Sequence, residues 1–396
     1  MVELSGITPG STHLSGNDIW VTAQTSGIPA GATDYKILLK IVSVDGVLIG
    51  SPFEDAVAPD PVNQARFNIS GYVDQGIERK LTWPIKTRYQ GKVVGWVNIA
   101  YDVWLYPGES YIDANGERQE SYGDPLQPIF IVPGRLPLNV LARFNAAETN
   151  WFEKFCQQGE FFSYMPETQQ VTPFQPVKLW WIPPSELAVT IKLKFYLADG
   201  ATGTIDLLPG ILYYDILWET ECHPVNAGIP YDGSRPVKYE VWIESAGEIV
   251  CAKRTFLINW NYAEKYYYLF VDNQIGGIEC VSFTGRGQLK GKGERTIVSR
   301  QFPQGSGVQT RTRVPVARNR RRNWSINSGY KPKEELAALE FLLDSPNVWL
   351  ALPPADGSTD IAEYSLVPVN IISSELVLND DTTDVESIDI ELEEAL

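Results

Sequence analysis

The sequence predicts a mainly β protein: tandem immunoglobulin- or fibronectin-type-III-like sandwiches, then a C-terminal mixed unit with one short helix. Three observations predict it. Aromatic residues make up 12% of the chain, and such side chains suit a pleated, half-buried surface. Glycine (32) and proline (27) are plentiful, as expected where many strands are joined by turns. Apolar and polar residues alternate in several stretches, with turn dipeptides between them. At 396 residues the chain is long for one domain, which implies two or three.

Residues 1–132 read as the first sandwich. Ile37, Leu39 and Ile41 alternate with Lys36 and Lys40, and Asp45-Gly46 signals a hairpin before Val47. A long strand is expected over residues 93–106 and a turn at Asn115-Gly116. Residues 133–184 carry Pro133, Pro137, Pro166, Pro173, Pro176, Pro183 and Pro184, so they read as a connecting module rather than central sheet. Trp151, Phe152 and Phe155 have the spacing of a short helix near 148–157. Residues 185–258 read as a second sandwich: Val189, Ile191, Leu193 and Phe195 alternate with Thr190, Lys192 and Lys194. Turns are expected at Ala198-Asp199-Gly200 and Ala246-Gly247.

Residues 259–396 form the mixed unit, with an aromatic strand over 266–271 and a helix over 332–343. Pro332 suits a first helical turn, Glu334 and Glu335 face the positive end of the helix dipole, and Leu336, Leu339, Leu342 and Leu343 make an apolar face. The last twenty-odd residues are acidic, yet Ile388, Ile390 and Leu392 alternate with Asp389, Glu391 and Glu393. That pattern favours an ordered acidic hairpin over a floppy tail.

Charge is the positive functional signal. The chain carries −16, but residues 285–322 hold eleven Lys or Arg against Glu294 alone, a +10 arm in a −26 body. The glycine-rich start of this arm, residues 285–293, lacks the Gly-Lys-Ser/Thr of a phosphate loop and the fingerprint of a dinucleotide site, so flexible turns at a hairpin base are expected. Arg311, Arg313, Arg318, Arg320, Arg321 and Arg322 are the candidate assembly interface, since arginine forks pair carboxylates or phosphates. The alternative is a solvated, mobile loop. The excess of acid elsewhere favours contact with another copy of the chain, and DNA phosphate is the rival partner.

Signals for chemistry are sparse. His13 and His223 are the two histidines, too few for histidine-based catalysis or a histidine-rich metal site to be expected. Cys222-His223 are neighbours, which face opposite sides of a strand. Cys156, Cys222, Cys251 and Cys280 lie far apart and read as reduced, buried thiols rather than a zinc or disulfide framework. The Asp113–Glu117 stretch resembles the start of a calcium loop but lacks the later ligands, so a β-turn is expected. No catalytic residue, metal or cofactor is assigned. A carbohydrate hydrolase working through two carboxylates, and glycan binding on Trp180-Trp181, residues 266–268 or Trp151-Phe152, stay open as alternatives. The N-terminus has no basic and apolar leader pattern and no apolar run is long enough to span a bilayer, so no membrane insertion is expected.

Three segments carry a resemblance. Residues 266–277 read Tyr-Tyr-Tyr-Leu-Phe-Val-Asp-Asn-Gln-Ile-Gly-Gly and lead to Val281-Ser-Phe-Thr-Gly285. Residues 339–350 read Leu-Glu-Phe-Leu-Leu-Asp-Ser-Pro-Asn-Val-Trp-Leu, and a strand over 237–244 precedes both. This order is similar to virion structural proteins, tail or tail-associated, of phages infecting Bacteroidetes, including crAss-like phages. It covers about residues 235–352, and its motifs are structural. The resemblance implies a virion protein assembled in the host bacterial cytoplasm into a ring or collar. Its partners would be its own copies and neighbouring virion proteins. It implies turn roles for Gly276, Gly277 and Gly285, and no ligand role for Asp272-Asn273.

Overall fold

In a computed structural model of the chain, the residues described are 2–8, 10–43, 50–77, 101–126, 128–136, 159–183, 186–212, 218–221, 234–261, 263–273, 275–299, 313–356, 358, 363–373 and 385–395. The protein is mainly β, as the alternating segments imply.

The N-terminal region holds β1 (Val2–Ser5), β2 (Thr12–Leu14), β3 (Trp20–Thr25), β4 (Thr33–Ser43), β5 (Phe53–Val57), β6 (Gln64–Asn68), a short helix Ser70–Gly76, β7 (Tyr101–Ile112), β8 (Arg118–Tyr122) and β9 (Ile129–Val132). They form a three-stranded sheet β1-β3-β6 and a sheet β2-β9-β7-β4-β5 with β8 beside β7. Val21, Ala23 and Phe67 of the first sheet meet Ile37, Leu39, Ile41, Val103 and Ile131 of the second, all buried. Alternation along each strand puts these residues on the inner faces, which is the sandwich arrangement. β4 pairs antiparallel with β5, which starts at Phe53, while the hairpin expected at Asp45-Gly46 before Val47 lies outside the described residues. The strand expected over 93–106 is described from Tyr101 and continues to Ile112.

Next come β10 (Thr168–Val171), β11 (Lys178–Trp181), β12 (Leu187–Leu197), β13 (Thr202–Leu212), β14 (Trp218–Glu221), β15 (Pro236–Ser245) and β16 (Glu248–Ile258). A five-stranded sheet β10-β16-β15-β12-β13 faces the pair β11-β14. Val189, Ile191, Leu193, Tyr239, Val241 and Phe256 pack against Leu179 and Trp181 between them. Ala246 (φ 50) and Gly247 (φ 87) both take positive φ, the two-residue turn that matches strand twist. The proline-rich stretch is thus not only a connector. β10 pairs in parallel with β16, and β11 supplies part of the facing layer. The helix expected near 148–157 lies outside the described residues.

The C-terminal region contains β17 (Tyr267–Asp272), β18 (Ile278–Phe283), β19 (Gly287–Ser299), β20 (Arg313–Asn327), β21 (Lys331–Pro332), β22 (Val348–Leu352), β23 (Ser365–Ile371), β24 (Val385–Glu386) and β25 (Asp389–Glu394). Seven strands form one sheet, β18-β17-β22-β23-β25-β20-β19. The expected helix is shorter than 332–343: Lys333–Ala338 is α-helical, and Leu339–Asp344 tightens to 3₁₀. A 3₁₀ turn has three residues per turn, so Leu336, Leu339 and Leu342 stay buried over the sheet while Leu343 turns outward, 38% exposed. Pro332 is extended and closes β21.

Within the acidic end Asp389–Glu394 is ordered strand, and residues 374–384, the other part of the expected hairpin, lie outside the described residues. β25 lies between β23 and β20, with Ile388, Ile390 and Leu392 buried, whereas β24 pairs separately with β21.

All six residues of β17 are buried, because both faces are covered. Leu269 and Val271 pack under the helix with Leu336 and Leu342. Tyr268 and Phe270 face a cluster that includes Leu14 and Val132 from the first region and Phe162 and Trp180 from the second. This cluster joins residues from all three parts of the chain.

Candidate functional site

The basic segment is a β-ribbon. β19 and β20 pair antiparallel from Gly287↔Ile326 to Ser299↔Arg313. This corrects both the turns expected over 285–293 and the mobile-loop alternative: Gly287, Gly291 and Gly293 are strand residues. β25 flanks β20 only over Asn323–Asn327, and β19 is the sheet's edge. Among the described residues, 313–322 and 291–299 therefore pair only with each other within the sheet. At about 3.4 Å per residue, this two-stranded projection is roughly 30 Å long.

Its register sets like charges directly opposite, Lys292↔Arg321 and Arg295↔Arg318. Such pairs destabilise an isolated ladder. Arg320 and Arg322 stand opposite Gly293 and Gly291, which offer no side chain. Arg318, Arg320 and Arg322 occupy alternate positions along β20, about 7 Å apart. Arg321 and Arg322 are exposed, and Arg313 lies at the far end of the strand. Arg311 is outside the described residues.

The root of the ribbon touches acid within the same chain. Lys290 Nζ lies 3.7 Å from Glu391 Oε1, and Arg321 Nη1 donates to Glu393 Oε2 at 3.1 Å. These are exposed or half-exposed pairs, each contributing at most about 1 kcal/mol. Part of the expected basic-to-acidic contact is thus intramolecular. Gly285 permits the root to close: a Cβ there would sit 2.3 Å from Asn327 Oδ1. Asn327 accepts from Gly329 N through that oxygen and donates through Nδ2 to Asp389 Oδ1 at 3.0 Å.

A second polar cluster is buried. Arg254 donates to the carbonyls of Met165, Pro166 and Ser163. Glu279 accepts from Tyr164 N and from Asn273 Nδ2, and Asn273 Oδ1 accepts from Ile275 N and Gly277 N. Burial pushes the Glu279 carboxyl above its ordinary range against the pull of these donors and of Arg254. Gly276 takes φ 106, so it needs glycine's conformational freedom. Gly277 needs space instead: a Cβ would lie 2.5 Å from Trp180 Cδ1. Nearby, Lys331 Nζ and Glu335 Oε2 form a buried pair at 3.6 Å, and Glu335 also accepts from Gln170 N. Burial lowers the Lys331 pKa and raises that of Glu335. Both groups tie the proline-rich stretch to the C-terminal sheet. Their ligands are the protein's own backbone and side chains, which makes them structural.

The other candidates resolve by position. Trp180 and Trp181 are 3% and 1% exposed, so they are core and present no sugar-stacking face. Tyr267 and Tyr268 are buried too, and Trp151-Phe152 lies outside the described residues. Asp113 Oδ1 accepts from the backbone N–H of Asn115 and Glu117, and these bonds hold its pKa below the ordinary value. It is the β-turn expected. Ser11 Oγ and His13 Nε2 lie 2.7 Å apart, a pair the sequence reading missed. Ser11 Oγ also lies within hydrogen-bond distance of the Thr8 carbonyl, and burial lowers the His13 pKa. Cys251 is a buried thiol with its pKa raised by desolvation, Cys280 is a part-buried thiol, and Cys156 and Cys222 are outside the described residues. Among the described residues, no group of three or more His, Cys, Asp or Glu is placed to hold a metal ion, and no helix is long and apolar enough to cross a membrane.

No family model matches the chain. No curated protein matches it. Among solved structures, a mutant Salmonella alpha-2-macroglobulin aligns at 9% identity and a TM-score of 0.20, covering 98% of this chain and 28% of that one. A likeness that low carries no argument about fold or function.

Proposed function

We propose that this chain is a non-catalytic structural subunit of a virion-type assembly, the class its C-terminal motifs resemble, and that it docks through the basic ribbon. The observation that carries this reading is the register of β19 and β20, which sets Lys292 opposite Arg321 and Arg295 opposite Arg318 on a projecting edge. Arg321 already meets Glu393 of the same chain, and the remaining like-charged positions favour an acidic surface or a phosphate backbone laid against the ribbon. The −26 remainder of the chain makes a second copy the fitting partner, and the contact is heterologous because ribbon and acidic surface are different patches. Sandwich domains joined by a shared core supply rigid spacing.

The test is to replace Arg320, Arg321 and Arg322 with Ser and follow assembly and DNA binding together. Loss of assembly with no DNA affinity in the parent supports the reading. Assembly unchanged by the triple substitution contradicts it. DNA binding that disappears with the arginines moves the partner from protein to nucleic acid.

A further inference from the structure

At the root of the ribbon lies an open groove of 810 Å³, a size common for small-ligand sites. One wall comes from the second region, with Gln170 of β10 and Asn259 and Asn261 just after β16. The other comes from the C-terminal sheet, with Arg286, Asp389 and Tyr330. Tyr330 is 78% exposed, the most open large aromatic among the described residues. It follows Gly329, whose φ of +70 sets the direction of the chain there and where a side chain would collide with Thr284 Oγ1. We propose that this groove binds a neutral oligosaccharide, with Tyr330 as the stacking platform and Gln170, Asn259 and Asn261 as the hydrogen-bonding wall.

The chemistry of the lining selects the ligand. Each amide side chain presents donors and an acceptor, which matches hydroxyls that both donate and accept. Asn259 Oδ1 already accepts from Asn261 N at 2.9 Å, so its NH₂ is the end directed to a ligand and its position is fixed. Arg286 and Asp389 oppose each other in charge, so the groove offers no net field for a phosphate or a carboxylate. Tyr330 is the one aromatic side chain among its described lining residues. One ring and a row of amides suit a pyranose, whose C–H face is apolar and whose rim is polar. The buried Trp180-Trp181 pair cannot serve this role. The inference is independent of the ribbon's partner, since among the described lining residues none comes from 313–322.

The experiment is saturation-transfer NMR and calorimetry on the full chain with maltotetraose, cellotetraose, mannotriose and chitotriose, plus a sulfated heparin fragment as the charged control. At least one neutral probe should bind, about tenfold more weakly to Tyr330→Ala and to Asn261→Ala. Tyr330→Trp should restore binding, which a merely structural role would not produce. Both positions are exposed, so folding is not at stake. Absence of binding by every neutral probe, binding of the heparin fragment alone, or affinities unchanged in both Ala variants would overturn the proposal. The Arg320, Arg321 and Arg322 to Ser variant should bind the sugar like the parent, whatever becomes of its assembly.

Discussion

The two polar regions of the C-terminal half use charge in opposite ways. Around Arg254 and Glu279, ionisable groups are buried and held by backbone and side-chain partners of the same chain. Along β19 and β20, the register places Lys and Arg positions opposite one another at the edge of the sheet. The first arrangement fixes how the parts of one chain sit together. The second leaves an attraction for something outside it. Breaking a buried, satisfied network is therefore expected to cost folding stability, and breaking the ribbon to cost association and almost no stability.

The largest effect on stability should come from Arg254→Met, about 3–5 kcal/mol, because it orphans three carbonyls and leaves Glu279 without its nearby cation. Urea unfolding of parent and variant measures it, and a loss under about 1 kcal/mol would mean the cluster is ornament. Gly277→Ala comes next, about 1–3 kcal/mol, since the new methyl collides with Trp180 and Asn273 in a packed site. A smaller effect is seen only through pH. Glu279 has a raised folded pKa, so the folded state holds its proton more tightly than the unfolded one. Below the ordinary glutamate value of 4.5 both states are protonated, and parent and Glu279→Gln should differ least there. As pH rises through the raised value the parent should lose stability relative to Glu279→Gln. A gap that is constant, or that moves the other way, contradicts the desolvation account. The smallest change belongs to the ribbon: Ser at 320, 321 and 322 should alter unfolding by less than about 0.5 kcal/mol.

Local pattern made some of this legible and distance hid the rest. Ile388, Ile390 and Leu392 alternate with acids, so β25 could be read as a half-buried strand in spite of its charge. Its place between β20 and β23 could not, because strand order depends on partners some 20 and 65 residues away. Gly287, Gly291 and Gly293 read as turns, since glycine is a poor strand former. Pairing with β20 overrides that tendency. Trp180-Trp181 read as core packing before a sugar platform, and β11 carries them into two different cores, Trp180 toward Phe270 and Trp181 toward Ile191, a division the sequence does not show. The groove around Tyr330 has no local signature, because Gln170 and Asp389 meet only when β10 docks on the C-terminal sheet.

The central claim is that the ribbon gives this chain an attraction for its own copies. Light scattering of the purified protein, from low to high salt, tests it most directly. The account predicts a mass above the monomer at low salt that falls toward the monomer as salt screens the arginines, and a monomer throughout for the Arg320, Arg321 and Arg322 to Ser variant. A parent that is monomeric at every salt and concentration, or an oligomer that the triple substitution leaves intact, would contradict it.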